Sequence, residues 1–372
     1  NPIPTKNGDA FKGWYNKNNE KIDFNNDTIT TENLDEEFFD YYYGREYYYG
    51  WGIVLKAKWD NAAKNDLGAN ANKLFGDKSQ LRIGGADRCE TAQLAADNLK
   101  TSLGIDKFDV VIVASGDDFP DALAGGYLAS KTNAPILLLE ERLSDSVTKY
   151  IKENISETGR IYILGGPSVV SSAFEERFEN EVIRLWGMDR YETNLEILYE
   201  AEAYNEDLMV CTGEDFPDSL SASAVPKPIL LVNKEIDEYQ LEYLYALETN
   251  KNIYIIGGGG VVSSGIEDDL KECTSRNIKR LAGNDRYGTS KCVAEEFFAS
   301  GKNVIFADAS DFPDGLSGGP LAMSIGSPMM LVDNGHYTHA EEYVDSAKAT
   351  KGIVMGGPKL ISDETINKIM SK

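Results

Sequence analysis

Histidine and cysteine are scarce in this chain, with 2 His and 4 Cys among 372 residues. His336 and His339 stand three apart beside a loop, and no further ligands accompany them, so a metal site is not expected there. Cys89, Cys211, Cys273 and Cys292 are isolated, with no metal-type or redox-type spacing, so cysteine usage does not fix the compartment. Cys89 and Cys292 fall in predicted helices and read as buried thiols. No apolar run reaches the roughly 18 residues that a membrane-spanning helix needs, so no membrane span is expected. Basic residues are outnumbered 37 to 61, for a net charge of -24. No basic block offsets this, which argues against nucleic acid as a partner. An acidic polymer would need local Lys/Arg pockets or a bridging cation; the simplest role of the charge is to keep the surface solvated. The start, Asn1, is neither Met nor a basic-then-apolar leader, so removal of a leader or of a larger upstream region is expected.

What remains is ordinary globular composition, 42% hydrophobic and 26% charged, in a chain long enough for two to four domains. Internal repetition organises it. The segment Arg82-Ile-Gly-Gly-Ala-Asp-Arg-Cys-Glu-Thr91 returns as Arg184-Leu-Trp-Gly-Met-Asp-Arg-Tyr-Glu-Thr193 and again as Arg280-Leu-Ala-Gly-Asn-Asp-Arg-Tyr-Gly-Thr289, at offsets of 102 and 96 residues. A second signature follows each opener: Asp118-Phe-Pro-Asp121, Asp215-Phe-Pro-Asp218 and Asp311-Phe-Pro-Asp314. A third closes each copy: Gly165-Gly-Pro167, Gly257-Gly-Gly259 and Gly356-Gly-Pro358. Three ordered signatures in three copies predict three domains of one kind, each too long for a solenoid repeat.

Each copy reads as α/β. In the first, Val110–Ala114, Pro135–Leu139 and Ile161–Leu164 are short apolar runs. Between them lie a small-residue helix from Asp121 to Ser130 and a polar helix from about Ser144. Strand, helix, strand, helix, strand is the pattern of a parallel sheet covered by helices. Continuous apolar strands fit burial on both faces. The order recurs with 208–211, 229–232 and 253–256, then with 304–307, 329–332 and 353–355.

The signatures carry structural and functional readings side by side. In the Asp-Phe-Pro-Asp box the proline suits a first helical turn, the first Asp is placed to cap the helix, and the phenylalanine can staple the turn to the core. Alternatively Asp118, Asp121, Asp215, Asp218, Asp311 and Asp314 face a ligand or Ca²⁺ at the carboxyl ends of the strands. Arg88, Arg190 and Arg286 either pair with acids across a repeat boundary or grip a carboxylate or phosphate. Arg82, Arg184 and Arg280 share that choice. The glycine closers make no dinucleotide fingerprint. Catalysis has little support. Ser115 and Thr212 follow the first strand of their copies, Ser310 is shifted by one, and no histidine lies in the first two copies to activate them.

Outside the repeats, residues 11–59 suggest a small β-rich unit: Phe11–Tyr15, Ile22–Phe24, Thr28–Thr30 and Ile53–Trp59, with a turn at 16–19. The tyrosine-rich block from Tyr41 to Tyr49 is either an exposed aromatic surface or the filling of a thin core. Residues 60–78 read as a linker running into a short helix.

Together the opener, the Asp-Phe-Pro-Asp box and the Gly-Gly-Pro closer resemble the cell wall binding repeat 2 family, found in threes in clostridial surface-layer and cell wall proteins. The resemblance covers about residues 79–372. It implies Rossmann-like or Toprim-like α/β units in a pseudo-threefold arrangement, secreted to the cell wall or surface layer. It implies non-covalent anchoring to an anionic secondary wall polysaccharide, with no enzyme activity and no cofactor beyond an optional Ca²⁺. Surface-layer proteins or a host surface are further partners. The family's Pro-Ile-Leu-Leu motif, tied to polymer attachment, falls on Pro135, Ile136, Leu137 and Leu138, on Pro228, Ile229, Leu230 and Leu231, and on Pro328, Met329, Met330 and Leu331. The third copy departs with two methionines, and the second departs at Trp186 and Gly259. The N-terminal segment is similar to the Listeria–Bacteroides repeat through Phe11-x-Gly-Trp-Tyr15 and Leu55-x-Ala-x-Trp59, which implies a spacer or adhesion module. The expected layout is 1–75 for that module and its linker, then 76–178, 179–274 and 275–372 for the three repeats. A surface glycan hydrolase and a protein–protein scaffold with rigid repeat spacers stand as alternatives.

Overall fold

The structure is a computed structural model, and it describes residues 10–15, 35–43, 46–54, 56–60, 67–247 and 251–371. The chain divides into two compact units, 1–66 and 67–372. The first holds strands β1 (Ala10–Tyr15), β2 (Asp35–Tyr43), β3 (Glu46–Val54) and β4 (Lys56–Asp60). β1 pairs antiparallel with β4, and β2 with β3. The stretch expected as one strand over Ile53–Trp59 is divided between the end of β3 and β4. The tyrosine-rich block forms the facing ends of β2 and β3, with Tyr41 opposite Tyr48 and Tyr42 opposite Tyr47. Aromatic residues suit a pleated pair of this kind. The expected strands at 22–24 and 28–30, and the turn at 16–19, lie outside the described residues.

The described residues of 67–372 form twelve further strands. The opener of the first copy gives β5 (Gln80–Ile83), followed by β6 (Phe108–Ser115), β7 (Ile136–Leu139) and β8 (Ile155–Leu164). The second copy gives β9 (Glu181–Leu185), β10 (Leu208–Thr212), β11 (Ile229–Val232) and β12 (Asn252–Ile256). The third gives β13 (Asn277–Leu281), β14 (Asn303–Asp308), β15 (Met329–Val332) and β16 (Lys351–Met355). They form three parallel sheets in the orders β7-β6-β8-β9, β11-β10-β12-β13 and β15-β14-β16-β5. The fold is therefore mixed α/β, with three structurally similar repeated units, each a parallel sheet with helices.

The pairing carries a feature that periodicity alone does not reveal. The opener strand of each repeat completes the sheet of the preceding one. β9 pairs with β8 and β13 with β12. β5, at the beginning of this unit, pairs with β16 at its end, from Gln80 opposite Gly352 to Ile83 opposite Met355. The three sheets are thus linked cyclically.

The central strands β10 and β14 are buried along their whole length. Burial on both faces explains their unbroken apolar sequences. The Pro-Ile-Leu-Leu stretches are β7, β11 and β15, and their strand residues are at most 5% exposed. The helix expected over Asp121–Ser130 is two short ones, Pro120–Ala124 and Gly126–Thr132, meeting at Gly125. A Cβ at Gly125 would stand 2.5 Å from Leu164 Cδ1, so the glycine admits the sheet side chain at that junction. The corresponding helix of the third copy, Pro313–Ile325, is continuous. The short helix expected near the linker is Leu67–Phe75. It belongs to the larger unit, burying Ala71, Leu74 and Phe75, and Asn70 donates to the Ser324 carbonyl at 2.8 Å.

Candidate functional site

The opener is a joint between repeats, and each of its fixed residues has a mechanical task. Its first arginine clamps the closer loop of the preceding copy. Arg184 donates to the carbonyls of Gly165 and Val170 and pairs with Glu175. Arg280 donates to the carbonyls of Gly257 and Val262 and to Glu267. Arg82 does the same across the cyclic junction, to the carbonyls of Gly356 and Ile361 and to Asp363. These three guanidiniums are spent on internal acceptors.

The opener glycine is needed because a Cβ at Gly85 would come 2.5 Å from Glu90 Cβ. The following Asp caps the helix: Asp87 accepts from Glu90 N, Asp189 from Tyr191 N and Glu192 N, and Asp285 from Gly288 N. The threonine hydroxyl accepts from the opener glycine at 3.0–3.1 Å in all three copies. In two copies it also lies near a carboxylate of another repeat, Thr91 by Asp314 and Thr289 by Asp218, and holds that carboxyl down. The threonines were visible in the repeated segment, but their second contact comes from a different repeat and leaves no local signal.

The second arginine of each opener lies elsewhere. Arg88 donates to the Gly116 carbonyl and stands 3.4 Å from Glu140 and 3.6 Å from Asp311 of the third copy. Arg190 donates to the Gly213 carbonyl and to Asp118 of the first copy at 3.3 Å. Arg286 donates to the Ala309 carbonyl at 2.7 Å. These side chains are partly exposed, Arg88 at 28% and Arg190 at 32%; Asp311 and Asp118 opposite them are half exposed, whereas Glu140 beside Arg88 is largely buried.

The Asp-Phe-Pro-Asp boxes converge from the carboxyl ends of β6, β10 and β14. Phe119, Phe216 and Phe312 meet one another with ring centroids 5.7–6.1 Å apart. The arginines lie over this cluster, Arg88 5.7 Å from the Phe312 ring and Arg190 5.8 Å from the Phe119 ring. Proline occupies the first turn of each following helix, where its missing N–H costs nothing. The first Asp was expected to cap that helix. Instead the N-cap is the phenylalanine, without a side-chain cap. Asp118, Asp215 and Asp311 each accept the next residue's N–H at 2.9 Å.

The second Asp of each box is held beneath the closer glycine. Gly165, Gly257 and Gly356 have φ of +98°, +104° and +88°, and a Cβ on any of them would strike the Oδ2 of Asp121, Asp218 or Asp314. Burial pushes the Asp121 carboxyl up to about 6, Asp118 adds to this, and Arg190 opposes it. Burial likewise raises Asp218 and Asp314, against the lowering effect of the threonine hydroxyls.

Ser115, Thr212 and Ser310 serve the turns before the boxes. Ser115 accepts from Asp117 N, Thr212 accepts from Glu214 N, and Ser310 donates to Asp308. His336 stands 2.9 Å from Asp333, and His339 lies 3.6 Å from Glu342. Among the described residues no group of three or more His, Cys, Asp or Glu could hold a metal ion. No described helix is long and apolar enough to cross a membrane.

Three α/β repeats, joined cyclically and carrying partly exposed arginines where their loops converge, define a repeat-built binding module. The chain belongs to the family described as cell wall binding domain 2, whose model matches residues 82–175, 184–267 and 280–366. It is similar to an amidase enhancer of Bacillus subtilis, 28% identical over 80% of this chain and 41% of that protein. It is also similar to the N-acetylmuramoyl-L-alanine amidase LytC of the same organism, 22% identical over 79% of this chain and 58% of that one. Among solved structures, Cwp8 of Clostridium difficile matches with a TM-score of 0.70 and 27% identity over 79% of this chain and 52% of that chain. Cwp6 matches with a TM-score of 0.69 and 22% identity, covering 92% and 51%, a likeness of fold. The chain spans about half the length of these relatives. Its family places it at the cell wall as a wall-binding surface protein.

Proposed function

We propose that residues 67–372 anchor their protein non-covalently to an anionic secondary polysaccharide of a Gram-positive wall, without catalysing a reaction. The division of the six arginines carries this reading. Arg82, Arg184 and Arg280 are locked into carbonyls and carboxylates between repeats. Arg88, Arg190 and Arg286 stand where the loops converge, each partly exposed. The half-exposed Asp311 opposite Arg88 and Asp118 opposite Arg190 can yield to a phosphate or carboxylate of the polymer, while Glu140 keeps Arg88 in place. The phenylalanine cluster and the cyclic pairing support a pseudo-threefold arrangement of Rossmann-like or Toprim-like units, so one weak site is presented three times and gains avidity. The Pro-Ile-Leu-Leu strands shape this face from below and do not touch the polymer. The N-terminal unit serves as spacer or adhesion module.

The test is retention of the full chain on native walls and on walls chemically stripped of secondary polymer, with an EDTA arm for Ca²⁺. Arg88→Gln, Arg190→Gln and Arg286→Gln should each weaken retention by about three- to tenfold, less at high salt. Equal retention on both walls refutes the polymer reading.

A further inference from the structure

The second repeat differs from its neighbours in a way the fold does not require. Where the first and third openers carry Gly84 and Ala282, the second carries Trp186, and two residues on stands Met188. Both are exposed, at 45% and 72%, and Val169 of the closer loop on which the indole rests is exposed at 46%. Trp186 is the sole tryptophan in residues 67–372. Its indole lies across Gly166, close enough that a Cβ there would stand 3.0 Å from Cε3. In the first repeat the equivalent place is closed, because a Cβ at Gly84 would stand 2.6 Å from the Gly356 carbonyl carbon.

Both loops that set the indole are tied down by hydrogen bonds. Arg184 clamps the closer loop beneath it through the Gly165 and Val170 carbonyls, and in the opener loop that carries it Gly187 N donates to Thr193 at 3.0 Å and Met188 N to Glu192 at 2.8 Å. With one side seated on Gly166 and the rest open to solvent, the pre-set ring loses little entropy on binding.

We propose that Trp186 is a stacking platform for a pyranose ring of the wall polymer, a subsite of the second repeat only, resting on the polymer reading above. An indole face attracts the C–H groups of a sugar's apolar face, and the nearby Glu192 and backbone groups offer acceptors to its hydroxyls. Size favours a single ring over a protein surface. Three exposed side chains fall far short of the roughly 800 Å² per partner that a specific protein interface buries. Position favours the same ligand as Arg190. In the strand order β6-β8-β9, the loop carrying Asp118 and its partner Arg190 is two strands from Trp186, or about 10 Å along the carboxyl edge of the sheet. A short oligosaccharide can engage its charge at one place and a ring at the other.

The experiment titrates the full chain with polysaccharide released from purified clostridial walls by mild acid, with dextran and inorganic phosphate as comparison probes. Affinity and tryptophan emission are both read. Trp186→Ala should bind about tenfold more weakly and Trp186→Phe only about two- to threefold more weakly. A polymer-induced emission change should vanish in Trp186→Phe. The positions of Gly84 and Ala282 show that the loop tolerates a small residue here, and a circular dichroism spectrum matching the parent verifies it. If Trp186→Ala, or the apolar but non-aromatic Trp186→Leu, binds as the parent does while Arg190→Gln is weakened, the platform is overturned and the polymer reading stands. If Trp186→Ala instead abolishes self-association and leaves polymer affinity intact, the patch is a protein contact and the platform is overturned. If the parent itself does not bind the polysaccharide, both readings fall.

Discussion

Replacing Asp121 with Asn should stabilise the protein at neutral pH and do little at pH 4. The carboxyl of Asp121 lies largely buried under Gly165 with Asp118 nearby, and its value rises from 3.8 to about 6. A raised carboxyl means that the folded state holds its proton more tightly than the unfolded chain does. Between 3.8 and about 6 the folded state therefore binds more protons, and stability falls as pH rises through that window. Below it the acid is neutral in both states and the cost disappears. A rise of that size corresponds to at most about 3 kcal/mol, because the protein relaxes around the charge and admits water. Asparagine keeps the shape and one acceptor without the charge. At pH 7.5 the gain expected is about 1–3 kcal/mol, or a rise in Tm of about 2–6 °C. At pH 4 parent and variant should melt within about 1 °C of each other. Thermal unfolding followed by circular dichroism at both values reads the difference. A variant destabilised equally at both pH values would refute the reasoning and show that the ionised carboxylate holds the closer loop in place.

Two further expectations concern the joints. Gly165→Ala should cost about 2 kcal/mol or more, since alanine at positive φ is strained and its Cβ meets Asp121; Gly258→Ala, with nothing within 4 Å, should stay within about 0.5 kcal/mol in the same melts. Removing residues 1–66 should leave the melting of the larger unit within about 0.5 kcal/mol. Removing residues 1–84 strips β16 of its partner and Gly356 of the Arg82 clamp, and should cost about 3–5 kcal/mol by chemical denaturation.

Much of the fold was legible because local chemistry and global structure agree. Short apolar runs such as Ile229–Val232, set in a repeated strand–helix order, read as strands buried on both faces, and the prolines of the three boxes mark helix starts. The cyclic pairing was not legible: Gln80–Ile83 looks like the start of the first repeat, and nothing local says that its partner lies at 352–355. The cap was misread for a similar reason. Asp118 has the right residue type, but the chain turns one residue later, at Phe119, where the three rings meet. The two arginines of the opener could not be separated by sequence, since both sit in one repeated phrase of this chain. Only the acceptors reached by Arg184, against those reached by Arg190, distinguish a clamp from a partly open cation.

Because every repeat borrows its last strand from the next, the number of repeats is quantised by closure. A single copy would end as a three-stranded sheet with an unpaired edge. A chain of any length closes only if its final sheet finds the strand at its own beginning, as β16 finds β5. The point at which the chain enters is therefore arbitrary: a circular permutant opening just before β9 or just before β13, with the old ends joined, would contain the same set of completed sheets. Single repeats should not be portable as wall-binding tags, whereas the whole closed set should be, and its two ends would be free to carry cargo of unrelated kinds.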